Sequence, residues 1–394
     1  MTHKLIQLRV YMTHNKRYIW QRSRWPEFYR DNSKLIEPLG ECRFKQGSLV
    51  RRISTLNMDE ELILRSETII EESIRTSAIE GEKLDPDGVR SSVARRLGLS
   101  DGGLPRVPGK NIEGLVDILL DATQNYYTPL TVERLCGWHA ALFPSGFSGI
   151  HRIITGKFRD DIKGPMRIVT GPIGKEKIIY EAPPAKRVNQ EMDLFLKWFA
   201  RSDTGIDGII RAGIAHLWFA AIHPFDDGNG RLARTICDMA LSQDENMPVR
   251  YYSLSSRILE ERSGYYNALA SATCGDGDIT GWLTWFIGMM SRAIEHSERI
   301  LDSITVKSRF WKTWDKKGLN ERQIKALNRL LDAGQEGFEG GITNRKYAGM
   351  NHVSRATAQR ELAELRDLGI LVQNEGGGRS VSYRLKFFDD ETLS

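Results

Sequence analysis

Apolar residues recur with helical spacing along much of the chain, and polar turns separate the resulting segments. Such segments cover 59–80, 209–222 and 232–241, where apolar residues lie three or four positions apart. The stretch 166–180 differs, because two short β-prone runs flank a turn-forming segment at 171–175 that contains two glycines and a proline. The pattern therefore predicts a mainly α-helical protein with a β-hairpin near its middle.

The C-terminal part of the chain has a pattern of its own. An amphipathic helix is predicted over 319–331, a short helix over 343–350 and a longer one over 354–368. Two short β-prone runs between 370 and 383 then flank a Gly-rich turn. Three helices followed by a hairpin are typical of a winged helix-turn-helix, so we predict such a domain over 319–388.

Composition limits the class of protein. With 394 residues, the chain is long enough for two or three domains with a substantial core. Its net charge of +5 and hydrophobic fraction of 40% suit a globular protein in water, and no apolar run approaches the length of a membrane span. The four cysteines show no Cys-x-x-Cys spacing, which suits a reducing compartment. Residues 1–16 lack the architecture of a signal peptide, and Met12 is an alternative start. We therefore predict a cytoplasmic protein.

The segment 223–234, His-Pro-Phe-Asp-Asp-Gly-Asn-Gly-Arg-Leu-Ala-Arg, lies between two of the predicted helices. Glycine and asparagine favour turns, so the chain is predicted to form a helix, a tight turn and a second helix. The first amides of a helix have no partner within it, and glycines such as Gly228 and Gly230 let an anion approach them closely. Arg231 and Arg234 are three residues apart and can reach the same anion. This turn is therefore a candidate phosphate site.

Two further side chains of this segment add chemistry to the phosphate site. Asp227 offers the hard oxygen ligand that Mg²⁺ prefers. His223 stands at the start of the turn, and an imidazole with a pKa near neutrality suits a general base. A base, a metal carboxylate, an amide nest and two arginines together indicate phosphoryl or nucleotidyl transfer. The chain has no Gly-x-x-x-x-Gly-Lys-Ser/Thr sequence, so the site is not a P-loop.

The same segment resembles the signature of the Fic family, His-x-Phe-x-Asp/Glu-Gly-Asn-Gly-Arg-x-x-Arg. Every fixed position is matched, by His223, Phe225, Asp227, Gly228, Asn229, Gly230, Arg231 and Arg234. Fic proteins mostly transfer AMP from Mg-ATP to a hydroxyl side chain of a target protein. The resemblance implies that His223 deprotonates that hydroxyl, that Asp227 holds Mg²⁺ and that Phe225 packs in the core. It also implies an ATP phosphate site formed by Gly228, Asn229, Gly230, Arg231 and Arg234.

A second motif, Thr76-Ser77-Ala78-Ile79-Glu80-Gly81, ends the helical segment at 59–80. A Glu before a C-terminal Gly is also an ordinary helix end, and the residues alone leave both interpretations open. Beside the signature, the motif resembles the family's inhibitory sequence Ser/Thr-x-x-x-Glu-Gly/Asn, with Thr76 and Glu80 in the key positions. If Glu80 pairs with Arg234, the guanidinium expected to hold the γ-phosphate is occupied. The resemblance therefore implies autoinhibition from the N-terminal side.

The resemblance also implies a domain order and a role for the hairpin. A small helical domain at 1–100 would contain the inhibitory helix at about 59–81, a looser Gly- and Pro-rich connection would cover 84–110, and the Fic core would run over 111–303. The hairpin would be the flap, whose strand edge can bind an extended target segment through main-chain hydrogen bonds. Its first strand is predicted at Arg167, Ile168, Val169 and Thr170. For Tyr265 and Tyr266, packing beside adenine and packing in the core both stay open.

The predicted winged helix raises the question of DNA binding. Its longest helix would present Arg355, Thr357, Gln359 and Arg360. Between 319 and 385, ten Lys or Arg against eight Asp or Glu leave a net charge of +2, a small excess for a DNA-binding domain. DNA binding, dimerisation and target recruitment therefore all stay open for this domain.

Taken with the resemblance, the sequence predicts an autoinhibited protein adenylyltransferase. It would move AMP from Mg-ATP to a Ser, Thr or Tyr hydroxyl of a target protein, and of itself, with release of pyrophosphate. Two alternatives remain: a winged-helix transcription regulator whose Fic core senses nucleotide, and a de-AMPylase in which Glu80 activates water. The predicted partners are ATP, a protein target, a second copy of the chain and DNA, but no membrane.

Overall fold

The computed structural model is mainly α-helical, as the sequence predicts, and contains two compact units, Met1–Ser297 and Glu298–Ser394. The residues that it describes are 18–99, 108–170, 175, 177–201, 205–314, 318–334, 340–374 and 381–386.

The first unit is built from helices joined by two short hairpins. After a 3₁₀ turn at Ile19–Gln21, its helices are α1 (Asn32–Ile53), α2 (Met58–Ile79), α3 (Pro86–Leu97), α4 (Lys110–Gln124), α5 (Val132–Leu142), α6 (Ala185–Phe199), α7 (Gly208–Ile222), α8 (Asn229–Glu245), α9 (Leu254–Glu260), α10 (Arg262–Thr273) and the first part of α11 (Thr280–Thr313). Its strands are β1 (Phe147–Ser148), β2 (His151–Arg152), β3 (Arg167–Thr170) and β4 (Lys177–Glu181).

Helix α7 forms the centre of this unit and packs against α8. From Ile209 to Ile222 every residue except Arg211 is buried, as expected for a helix that is apolar on all sides. Helix α11 also lies close to α7, since the Trp282 indole donates a hydrogen bond of 2.8 Å to the carbonyl of Gly213. The buried core thus holds both ends of the segment between α7 and α8 in place.

The prediction of a loose connection over 84–110 is wrong, because most of its first half forms α3. Pro86 is the first residue of this helix, and Gly98 ends it in the left-handed conformation, with φ of +68°. Pro and Gly therefore act here as start and stop signals of a helix. Val89 and Val93 are fully buried against α2 and α4. Helix α3 is thus part of the packing that supports α2.

The predicted hairpin is present as the antiparallel pair β3–β4. Arg167 faces Glu181 and Thr170 faces Lys177, with a register shift after Ile168. The predicted turn at 171–174 lies outside the described residues. The hairpin is attached to the core because the buried Tyr180 donates its hydroxyl to the carbonyl of Ala221 in α7, at 2.7 Å.

The second unit contains the end of α11, three further helices and a three-stranded antiparallel sheet. They are α12 (Glu321–Asp332), α13 (Asn344–Asn351), α14 (Arg355–Asp367), β5 (Ile342–Thr343), β6 (Leu371–Gln373) and β7 (Ser382–Leu385), with sheet order β5-β7-β6. Asn320 and Ser354 cap α12 and α14 with their side chains. The predicted helices and hairpin are present, and β5 is an additional strand. The predicted Gly-rich tip at 376–378 lies outside the described residues.

Two observations bear on the predicted environment of the protein. No helix in the described part of the chain is both long enough and apolar enough to cross a bilayer. The four cysteines all lie within the described residues and form no disulfide. A cytoplasmic location stays a prediction.

Candidate active site

The catalytic histidine candidate lies at the end of the central helix. His223 follows α7 in the left-handed conformation, with φ of 51°, and its amide still donates to Phe219 in α7, at 3.0 Å. Its Nδ1 lies 3.3 Å from the carbonyl oxygen of Ala220, which favours a proton on Nδ1. Nε2 then carries the lone pair, so the half-buried imidazole can accept a proton there.

Burial lowers the pKa of His223 to about 4, below the near-neutral value that the sequence predicts. The Arg159 guanidinium acts in the same direction, whereas the Ala220 carbonyl and the carboxylates of Asp227 and Glu80 act against it. The imidazole is therefore neutral at pH 7 and can accept a proton.

Asn229 closes the signature loop with its side chain. Its Oδ1 accepts from the Phe225 amide at 3.0 Å, and its Nδ2 donates to the Phe225 carbonyl at 2.8 Å. Both ends of the carboxamide are thus used within the loop, so only the backbone of Asn229 is available for the phosphate contact that the resemblance implies. Phe225 is fully buried and stacks on His139, with ring centroids 4.3 Å apart, as expected for a core anchor.

Helix α8 begins at Asn229, three residues earlier than predicted, so Gly230 belongs to its first turn. Gly228 precedes it with φ of +78°, and a Cβ there would lie 2.8 Å from the Phe143 ring. Glycine is therefore required at 228 both by the backbone conformation and by the close approach of the ring. The amides of this first turn have no partner within the helix, which makes the turn an anion site.

Asp227 lies at the start of this turn, and its carboxylate is oriented by two donors. Its Oδ1 accepts from the Gly228 amide at 2.6 Å, and its Oδ2 accepts from the Ser148 hydroxyl in β1. Within the described residues, no cluster of three or more His, Cys, Asp or Glu could hold a metal ion. Mg²⁺ commonly binds through one or two carboxylates with phosphate and water completing its shell, so Asp227 fits Mg²⁺ as a single protein ligand. Ser148 was not predicted from the sequence, because it is distant in the chain and only β1 brings it to Asp227.

Arg234 is held by both residues of the predicted inhibitory motif. Its side chain is only 2% exposed, and its Nη2 donates to Glu80 Oε1 at 2.7 Å. Its Nε donates to the Thr76 hydroxyl at 2.7 Å, and Nη2 also donates to the Thr76 carbonyl at 3.0 Å. Among the residues that the structure describes, the buried Arg234 Nη1 has no hydrogen-bond partner. The structure therefore brings Arg234 to Thr76 and Glu80, which precede it by 158 and 154 positions.

The Glu80 carboxylate also lies against the first turn of α8. A Cβ on Gly230 would be only 2.1 Å from Glu80 Oε1, so this glycine leaves the space that the carboxylate occupies. Glu80 itself caps the end of α2, and Gly81 follows with φ of +86°. A carboxylate thus stands where the helix start would attract an anion.

A second carboxylate, Glu82, contacts the other signature arginine. Arg231 Nη1 donates to Glu82 Oε2 at 2.8 Å, and the guanidinium lies 4.8 Å from the centroid of the Phe143 ring. Asn111 of α4 donates to Glu82 Oε1 at 3.1 Å. Glu82 was missed in the sequence because it follows the helix end and has no periodic signal. The signal that could have identified Glu82 as a site residue was its position, two residues after Glu80.

The two tyrosines of α10 have different environments. Tyr265 is 2% exposed, and its hydroxyl lies 2.9 Å from Nε2 of His216, so Tyr265 packs in the core. His216 is thereby a hydrogen-bonded core histidine. Tyr266 is half-buried, with its ring centroid 4.9 Å from that of Tyr265 and 5.7 Å from the Arg262 guanidinium. Of the two, Tyr266 keeps the accessibility that a contact with adenine requires.

The remaining predicted site residues lie on β3 and α14. On β3, Arg167 pairs with Glu181 at 2.8 Å and Val169 is 49% exposed, while Ile168 and Thr170 are half-buried. On α14 of the second unit, Arg355, Gln359 and Arg360 are exposed and Thr357 is half-buried. Binding of a target by β3 and of DNA by α14 stay predictions.

Residues 129–241, which include the loop and most of α8, match the model of the Fic/DOC family. The chain contains a Fic domain. Residues 18–99, which include α1, α2 and α3, match a model described as a domain of unknown function, DUF4172.

Several curated proteins to which the chain is similar are named as adenylyltransferases. "Protein adenylyltransferase fic-1" of Caenorhabditis elegans is 27% identical over 203 residues, which are 51% of this chain and 36% of the relative. "Protein adenylyltransferase Fic" of Nematostella vectensis is 25% identical over 285 residues, which are 71% of this chain and 59% of the relative. The chain therefore matches only part of the length of these relatives.

Solved structures share the fold of this chain. A crystal structure of a Fic family protein from Desulfovibrio desulfuricans G20 is 20% identical and superposes with a TM-score of 0.53, covering 92% of this chain and 98% of that one. A Fic domain-containing signalling protein from Bacteroides thetaiotaomicron is 15% identical with a TM-score of 0.50, covering 67% and 98%. These likenesses support the predicted Fic-type helical core with its small flap.

Proposed function

We propose that this Fic protein is an autoinhibited protein adenylyltransferase. It moves AMP from ATP to a Ser, Thr or Tyr hydroxyl of a target protein, and of itself, and releases pyrophosphate. The main support is the signature loop, where a neutral imidazole, one oriented carboxylate and a helix start with two buried arginines lie within twelve residues. The names of the curated relatives support the same reaction.

In the proposed reaction, the target hydroxyl oxygen attacks the α-phosphorus of ATP. A bond forms between that oxygen and phosphorus, and the bond from phosphorus to the bridging oxygen of pyrophosphate breaks. His223 Nε2 takes the hydroxyl proton, because Nδ1 faces the Ala220 carbonyl. Bound at Asp227, Mg²⁺ would neutralise charge on the phosphates. The backbone amides of Asn229 and Gly230 would donate to the same phosphates.

The proposed inhibition follows from competition for the two arginines. Arg231 and Arg234 would bind the β/γ end of ATP, but Glu82 and Glu80 contact them at 2.8 and 2.7 Å. A phosphate must compete with the carboxylate for each guanidinium, and both carboxylates also repel it. We infer that ATP reaches a reactive position only after the segment 80–82 moves.

A Glu82→Gln variant should bind ATP more tightly. The Glu82 side chain is 37% exposed, so its ion pair with Arg231 is partly screened, and we expect an increase in affinity of about two- to fivefold. The measurement is titration with a fluorescent ATP analogue. Glu67→Gln is the matched control, because Glu67 forms a surface ion pair with Arg90, away from the signature loop. Unchanged affinity in Glu82→Gln would show that this contact does not restrain nucleotide binding.

The reaction type is tested with two labels. The Glu80→Gly protein is incubated with Mg²⁺ and either α-labelled or γ-labelled ATP, and the product is examined by intact mass. Transfer of the α label with a mass gain of one AMP supports adenylyl transfer. Transfer of the γ label would indicate a kinase and would contradict the proposal.

A further inference from the structure

Arg159 lies in the segment between β2 and β3 and contacts the signature loop through its side chain and its backbone. Its side chain is fully buried. Nε donates to the carbonyl of His223 at 2.7 Å, and the Arg159 amide donates to the carbonyl of Pro224 at 2.9 Å. Nη2 donates to the carbonyl of Pro183 at 2.6 Å, and Nη1 pairs with Asp161 at 3.0 Å.

These contacts connect two parts of the site that are distant in the sequence. His223 and Pro224 begin the signature loop, whereas Pro183 follows β4 and ends the flap. Asp161 strengthens the second connection, because its Oδ2 accepts from the amide of Ala185, the first residue of α6, at 2.6 Å. The segment 159–161 therefore fixes the loop that carries His223 relative to the end of the flap at Pro183.

We propose that Arg159 is the positioning residue for the general base, and that it fixes the backbone of His223 against the end of the flap. This inference rests on the proposed function. A non-glycine residue in the left-handed conformation is strained, so His223 needs contacts that hold it there. The 2.7 Å bond to its carbonyl restrains the orientation of this peptide, and with it the direction of the imidazole.

The charge of Arg159 has a separate effect on the same imidazole. It lowers the pKa of His223, after burial and in the same direction. The other charged groups that act on His223 are Asp227 and Glu80, which raise its pKa, as does the carbonyl of Ala220. Arg159 thus counteracts the two nearby carboxylates and keeps the imidazole ready to accept a proton.

The test compares Arg159→Gln with Arg159→Lys, both in the Glu80→Gly background. Both replacements can donate hydrogen bonds, but neither has the guanidinium fork that reaches all three partners, and only lysine keeps the charge. We expect both to lower kcat for AMP transfer about 10- to 100-fold, because the base is less well placed. Only Arg159→Gln also removes the charge that lowers the pKa of His223. In this variant the acidic limb of the pH–rate profile should therefore move toward neutral pH by about one unit. Affinity for a fluorescent ATP analogue should stay within about twofold in both.

Arg134→Gln is the matched control. Arg134 also pairs with an aspartate, Asp121, and donates to backbone carbonyls, but it lies in α5 and contacts no residue of the signature loop among its described hydrogen bonds. This variant should lose thermal stability while its pH–rate profile stays in place. An unshifted limb in Arg159→Gln, or unchanged kcat in Arg159→Lys, would overturn the proposal. So would loss of folding in both Arg159 variants while Arg134→Gln folds, because Arg159 would then be purely structural.

A failure of the proposed function is recognised separately. It would appear as absence of AMP transfer in the Glu80→Gly protein with Arg159 intact. The pKa of the His223 imidazole is then followed directly by NMR titration, with His223→Asn used to assign the resonance. A higher pKa in Arg159→Gln than in the parent protein supports the role of Arg159, and an equal pKa overturns it.

Discussion

Replacement of Glu80 by glycine should raise self-modification with AMP by about 10- to 100-fold, since a charge-assisted hydrogen bond of roughly 1.5 to 3 kcal/mol no longer competes with the nucleotide. The carboxylate leaves Arg234 and the space beside Gly230, so that the arginine and the first turn of α8 become available to phosphate. Glycine suits the position, because Glu80 lies beyond the last residue of α2. The measurement is the rate of AMP-sized mass gain with Mg²⁺ and ATP.

Two further variants define the cause of this increase. Glu80→Gln keeps the size of the side chain and removes its charge, so an intermediate rate is expected. Glu67→Gln changes a glutamate of the same helix that pairs with Arg90, and its rate should equal that of the wild type. Loss of an AMP-removing activity in Glu80→Gly, with no gain in transfer, would contradict inhibition and favour the de-AMPylase alternative.

Replacement of His223 by alanine in the Glu80→Gly background should lower AMP transfer by about 10²- to 10⁴-fold, the usual contribution of a general base. The protein loses the Nε2 lone pair that accepts the hydroxyl proton, while the phosphate contacts of α8 are unchanged. Affinity for a fluorescent ATP analogue should therefore stay within about twofold. Because burial lowers the pKa of His223 to about 4, transfer by the parent protein should vary little from pH 6 to pH 8.

The left-handed backbone at 223 requires a careful control. His223→Asn removes the base but adopts this conformation readily, so it separates the loss of the base from backbone strain. His352 in the second unit also ends its helix in the left-handed conformation, with φ of 54°, and His352→Ala should leave transfer unchanged. Transfer in His223→Asn at the parental rate would show that His223 is not the base.

The signature loop could be predicted because its information is local. Between 223 and 234, the turn, the helix start and the two arginines follow from neighbouring residue types and from the match to the Fic signature. The pair between Glu80 and Arg234 spans 154 positions and was predictable only through the resemblance of the inhibitory motif. Functional residues that lie within one turn can be recognised from the sequence, whereas a site built from two distant segments requires a family pattern or a structure.

Other parts of the site could not be predicted for the same reason. Arg159 and Ser148 reach the loop only after the chain between α5 and α6 has folded back onto it. The resemblance places Asn229 in the phosphate site, but the strongly bent loop leaves the Phe225 backbone groups to be satisfied, and the Asn229 carboxamide bonds to both. Helix α3 was missed because its Pro and Gly were interpreted as loop residues.

Glu72, two turns before Glu80 in α2, determines how the inhibitory segment can be released. Its carboxylate accepts from the Ser253 hydroxyl at 2.7 Å and from the Ser255 amide at 3.1 Å, so it caps α9 and fastens this part of α2 to the core. Beyond Glu72, Ser77 and Ile79 are fully buried, so α2 is packed up to its last residue, and Gly81, with φ of +86°, is the point where the chain turns away. Under the proposed inhibition, activation then displaces only the segment 80–82 while α2 stays docked. Amide exchange that increases on activation should accordingly be confined to residues 80–82, which sets the size of the surface that an activating partner needs to reach.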